Sequence, residues 1–131
     1  MGSLKISVNL PVVPEKLYKA WLSSKEHTAF TGDKAIISPK KGGEFSVFGG
    51  YISGKTIELI PHHVIVQRWR TNEFDKYDPD SLLTVIIEPN KKGSTLTLIQ
   101  VNIPKGQTKK YKQGWIEYYF ERMKQYFTKQ L

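Results

Sequence analysis

Apolar and polar residues alternate from Leu4 to Leu10, with Leu4, Ile6, Val8 and Leu10 on one side and Lys5, Ser7 and Asn9 on the other. A period of two over this length predicts a half-buried strand, which Pro11 stops. Pro14 suits the first position of a helix, and Glu15 beside it suits the helix dipole. Leu17, Tyr18, Trp21 and Leu22 supply that helix with an apolar stripe. Ser23-Ser24-Lys25-Glu26 reads as a capping box for a second short helix, with Gly32 as its stop.

From Asp33 to Ile103 short β-branched and aromatic runs are separated by turn residues. Strands are predicted over Lys34–Ser38, Glu44–Phe48, Tyr51–Ile60, His63–Arg70, Leu82–Glu88 and Thr95–Ile103. Gly49-Gly50 is a hairpin signal, and Gly54 inside the third run suggests a bulge. Pro61-His62 and Pro89 to Gly93 are turns, and Thr71–Asp80 is a polar loop. Leu83, Val85 and Ile87 share one face. In the last run either Leu96 and Leu98 or Ile99, Val101 and Ile103 could face inward, and a bulge could switch the face midway.

Gln107 to about Phe127 is the one long helix. At 100° steps Trp115, Ile116, Tyr119, Phe120, Met123, Tyr126 and Phe127 fall within an arc of about 140°. Gly114 costs this helix about 1 kcal/mol against Ala, so close approach of a neighbouring backbone is expected there. The order is one strand, two short helices, about six antiparallel strands and one long helix. A curved antiparallel sheet with the helix laid across it would bury that arc.

Composition narrows the picture. With 131 residues, 39% hydrophobic and 24% charged, a single globular domain over 1–131 is expected. The absence of cysteine excludes disulfides and thiolate metal sites. No apolar run reaches the roughly 20 residues of a membrane span, and the first residues lack a signal-peptide pattern, so a cytoplasmic location is expected. The net charge of +8 is uneven. Lys105 to Leu131 holds seven basic residues and two acidic ones, +5 of the total. Such a balance favours acidic partners, although a solvated helix face explains any single lysine.

Candidate chemistry is sparse. His62 and His63 share a turn, His27 is remote, and Glu58 is the only neighbouring acidic candidate, so no metal or other cofactor is expected. Glu44, Glu58 and Glu88 lie on predicted strands without a partner carboxylate. The paired glycines sit between strands and not before a helix, so they form no phosphate loop. No serine sits in a nucleophile elbow. Nothing here argues for an enzyme. The basic and aromatic residues of the last helix match no nucleic-acid motif.

The punctuation itself is more specific. Gly42-Gly43-Glu44-Phe45, Gly50-Tyr51-Ile52-Ser53-Gly54, Glu58-Leu59-Ile60-Pro61 and Trp69-Arg70 follow one another, and Gly93 leads into Ser94-Thr95-Leu96-Thr97-Leu98. Ile103-Pro104 precedes the final helix, which carries Gln113-Gly114-Trp115, Tyr118-Tyr119-Phe120-Glu121 and Lys124-Gln125. This series resembles the activator of heat shock protein 90 ATPase family over nearly the whole chain, and in its last stretch the C-terminal domain of the co-chaperone. The resemblance implies an α+β helix-grip (START-like) fold and a non-enzymatic stress-response module that binds heat shock protein 90. The N-terminal domain of the full co-chaperone, with its Asn- and Trp-containing motif, has no counterpart in these residues. Docking on an acidic face would use Lys109, Lys110, Lys112, Tyr118, Arg122 and Lys124. Helix-grip relatives often hold apolar ligands between sheet and helix, which would place Phe45, Phe48, Tyr51, Trp69, Trp115, Tyr119 and Met123 around a pocket. Large aromatics also fill cores well, and a filled core is the plainer expectation.

Overall fold

A computed structural model describes residues 1–131. Strand β1 (Gly2–Leu10) is followed by helices α1 (Pro14–Leu22) and α2 (Ser24–Thr31). Six strands come next: β2 (Ala35–Ile37), β3 (Glu44–Val47), β4 (Ile52–Ile60), β5 (Val64–Thr71), β6 (Ser81–Asn90) and β7 (Gly93–Ile103). They join β1 in one antiparallel sheet of order β1-β7-β6-β5-β4-β3-β2. The C-terminal helix runs as α3 (Thr108–Gly114), a π-helical segment (Trp115–Phe120) and α4 (Glu121–Thr128), with helical backbone at both junctions. This is the α+β helix-grip arrangement: a curved sheet, two short helices after the first strand, and a long final helix.

The local signals act as chemistry requires. Ser23 caps α2 by accepting the Glu26 N–H, and Gly32 ends it in the left-handed region at φ 79°. On β6, Leu83, Val85 and Ile87 are buried while Leu82 and Glu88 are exposed. Leu96, Leu98 and Gln100 of β7 also point into the core. A bulge then intervenes. Gly2 pairs with Ile103 but Leu4 with Gln100, and Asn102 takes φ 65°. The extra residue turns Ile103 inward and leaves Val101 exposed, so the face switches after Gln100.

Three expectations need correction. The bulge of β4 lies at Ile57, between the pairs Thr56–Gln67 and Glu58–Val66, and not at Gly54. Gly54 answers a different demand, because a Cβ there would collide with the Arg68 carbonyl oxygen and stand 2.6 Å from the Phe45 ring. Pro89 belongs to β6, and only Lys91 and Lys92 turn the hairpin. Pairing with β5 stops at Ile86, so the missing Pro89 N–H faces no partner strand. At Gly114 no neighbouring backbone approaches, and an added Cβ would meet only Tyr118 Cδ2 at 3.9 Å.

The core lies between the concave sheet and the helices. Two of its three tryptophans are paired with buried glutamines. Trp21 Nε1–H donates to Gln67 and Trp115 Nε1–H to Gln100, at 3.3 and 2.9 Å. The amide nitrogens pass to Thr56 and Ser81. No fully buried side-chain nitrogen or oxygen lacks a partner. No helix is long and apolar enough to cross a membrane.

Candidate functional site

Most of the aromatic residues do fill the core, yet a cavity of about 290 Å³ remains between the π-helical segment and the β3–β4 connection. Phe48, Tyr51, Trp69, Trp115 and Tyr119 border it, joined by Ile52, Tyr111, Gly114, Tyr118, Lys110 and Asp33. Phe45 and Met123 do not. Met123 is fully buried deeper in the core, and Phe45 borders a separate inner void of about 10 Å³ with Trp69, Trp115 and Tyr119.

Backbone geometry opens the chamber. Phe48, Gly49 and Gly50 all have positive φ, at 54°, 65° and 98°. For a bulky residue such as Phe48 this is strained, and it sets the ring against Tyr118 and Tyr119, with centroids 6.2 and 5.8 Å apart. The π turn places Trp115, Tyr118 and Tyr119 on the opposite wall. An extra residue per turn of this kind often marks a functional site. Trp69 backs the cavity, 5.6 Å from Trp115 and 5.1 Å from Tyr111.

A polar network fixes one wall. Tyr51 donates its hydroxyl to Glu73, and Lys110 Nζ pairs with the same carboxylate at 2.6 Å. These contacts, Lys110 foremost, hold the Glu73 carboxyl below the usual range. Burial and then the Glu73 hydrogen bond push the Tyr51 hydroxyl above the ordinary phenol range. Tyr111 shares a hydrogen bond of 2.6 Å with Thr71 and donates to Gln107, whose amide reaches the Glu73 carbonyl. Burial raises the Tyr111 hydroxyl as well.

Behind the cavity, His27 is buried among the rings of Trp21, Phe30 and Tyr119. Its Nδ1 lies 2.8 Å from the Trp21 carbonyl, so it carries the proton, and Nε2 accepts the Tyr119 hydroxyl at 2.7 Å. Desolvation lowers its pKa from 6.5 to about 4. His62 sits exposed in the turn edge-on to Tyr18, and His63 Nδ1 donates to the Ile87 carbonyl. No three His, Asp or Glu side chains gather to hold a metal ion.

The basic residues do not act alike. Lys109, Lys112 and Lys124 are exposed and make no ion pair. Lys110 is tied to Glu73. Arg122 lies over the half-exposed Tyr118 ring at 4.9 Å, hydrogen-bonds the Thr31 carbonyl and pairs with Asp33 at 3.5 Å. Lys110 and Tyr118 therefore serve both the basic face and the rim of the cavity.

The sequence profile of the family described as "Activator of Hsp90 ATPase homolog 1-like protein" matches residues 11–128. The chain belongs to this family. The human "Activator of 90 kDa heat shock protein ATPase homolog 1" is 32% identical over 115 residues, 87% of this chain and 33% of that protein. A Dictyostelium discoideum homolog is 28% identical over 127 residues, 96% of this chain and 33% of the relative. This family member thus spans about a third of the length of the curated relatives it matches. A crystal structure of an HSP90 activator from Plasmodium falciparum superposes with a TM-score of 0.83 at 29% identity, covering 92% of each chain. A Mesorhizobium loti protein shares the fold at 21% identity, with a TM-score of 0.81 over 98% of each chain.

Sequence reasoning missed His27, Tyr111, Thr71 and Glu73 as parts of this family member's site. Glu73 and Thr71 fell in a segment read as a polar loop, where nothing marks one residue above another. Tyr111 carried a signal: it precedes Trp115 by one helical turn on the buried face.

Proposed function

We propose that this chain is a docking module for heat shock protein 90 that modulates its ATPase. The observation that carries this is the family match across residues 11–128, alongside relatives named as activators of that ATPase. The surface offers a compatible contact. Lys109, Lys112 and Lys124 are unpaired cations on the final helix, and Tyr118 is a half-exposed aromatic beneath Arg122. Tyr and Arg are favoured at interfaces, and unpaired lysines steer a partner with an acidic face. A binder that prefers the closed, ATP-competent dimer raises the share of that state. The test is the ATPase rate of heat shock protein 90 with and without the chain, at low and moderate salt. A rise that fades with salt is expected. An unchanged rate with no detectable binding overturns the proposal.

The cavity favours a second reading, that the same fold holds a small apolar ligand between sheet and C-terminal helix. Its volume lies at the low end for ligand sites, and its walls are mostly aromatic.

A further inference from the structure

The cavity shows ring faces and edges but few free polar atoms. Three of its tyrosines turn their hydroxyls to protein partners: Tyr51 to Glu73, Tyr111 to Thr71 and Gln107, and Tyr119 to His27. The two charges at its rim are balanced, since Lys110 pairs with Glu73 and Asp33 with Arg122.

Two donors are left without a protein partner, the hydroxyl of the half-exposed Tyr118 at the rim and one indole N–H inside. The indole N–H groups of Trp21 and Trp115 are taken by Gln67 and Gln100. That of Trp69 has no hydrogen-bond partner, although the residue is only 3% exposed. Every fully sealed side-chain nitrogen in the protein has a partner, so the Trp69 N–H opens onto accessible space. Trp69 borders the cavity of about 290 Å³ and the inner void of about 10 Å³. The protein itself offers this donor no acceptor, so one brought into the cavity would complete it.

We propose that the cavity binds an uncharged, planar, apolar molecule bearing one carbonyl-type acceptor for the Trp69 N–H. This rests on the second reading above and gives its ligand a chemical class. Balanced rim charges select against net charge. Aromatic walls select a flat body, and the volume suits one or two fused rings. The acceptor fixes the orientation of the ligand.

A matched pair of probes tests it. Methyl naphthyl ketone and its alkene isostere isopropenylnaphthalene have nearly the same shape but exchange a carbonyl oxygen for a methylene. Calorimetric titration of the intact chain should show the ketone binding about fivefold more tightly, the value of one net hydrogen bond. Trp69→Phe should erase that preference. The Trp69 indole N–H resonance of the unmodified protein should shift downfield with the ketone and not with the alkene, a readout that needs no variant to fold. Gly114→Leu, which projects a side chain into the cavity from a helical position without a backbone clash, should abolish binding of both probes while circular dichroism stays native.

Equal affinities for the two probes, or an unmoved Trp69 resonance, would overturn the acceptor assignment and leave an apolar cavity. That would place the N–H on the inner void, which has room for about one water. Binding of neither probe, or binding that survives Gly114→Leu, would overturn the cavity reading itself. Docking on heat shock protein 90 is judged separately, because no chaperone is present in these titrations.

Discussion

Among single residues, His27 couples folding to pH most directly. Both ring nitrogens are satisfied in the neutral form, and burial lowers the folded pKa to about 4 from 6.5. Below pH 6.5 the unfolded chain takes up a proton that the folded one refuses. Stability is therefore full above 6.5 and is lost progressively as pH falls towards 4, by up to about 3 kcal/mol. Urea denaturation at several pH values should show this slope, and His27→Gln should be less stable at neutral pH but flatter between pH 6.5 and 5. Carboxylates titrate mainly below that window, and the variant retains His62 and His63, so the difference between the two proteins isolates His27. Gln100 is a second residue whose role is internal. It accepts the Trp115 N–H and donates to Ser81. Gln100→Leu should cost about 1–3 kcal/mol in urea denaturation, because the Trp115 N–H is left buried without a partner, while Ser81 keeps its bond to the Trp69 carbonyl.

At the level of elements, two glycines that look alike in sequence carry opposite consequences. Gly54 lies against the Arg68 carbonyl, so Gly54→Ala should destabilise the chain by about 1–3 kcal/mol. Gly114 has helical dihedrals and room for a Cβ, so Gly114→Ala should stabilise it by up to about 1 kcal/mol. Paired urea midpoints at constant slope check both signs. The contrast shows what sequence pattern reaches. Alternation placed β1 and the inward face of β6, and capping residues placed the ends of α2, because those signals are local. The β7 face stayed open between two sets because the answer lies in the β1 pairing, where Asn102 supplies the extra residue. The buried Gln67 and Gln100 were invisible for a related reason. A polar residue on a strand reads as solvent-facing until the tryptophan N–H that needs it is seen across the core.

For the whole molecule, the net charge and the family were both legible, since one is a sum and the other rests on ordered turn residues along the chain. Which cations remain free was not, because Glu73 and Asp33 are distant in sequence from Lys110 and Arg122. That distinction sharpens the docking proposal. Reversing Lys110 would break its pair with Glu73 and disturb the cavity wall, so its effect on a partner would be ambiguous. Lys109, Lys112 and Lys124 make no such contacts. Lys109→Glu, Lys112→Glu and Lys124→Glu together shift the formal charge from +8 to +2, since each reversal changes it by two. The melting temperature should move by less than about 2 °C, as surface substitutions without partners generally do. Affinity for heat shock protein 90 should fall by about tenfold or more at low salt, mainly through slower association, and the gap to the unmodified chain should narrow as salt rises. A triple variant that binds as tightly as the unmodified chain at low salt would place docking on another face of the domain. Affinity lost equally at low and high salt would instead assign these side chains to close packing at the interface, where screening has little reach.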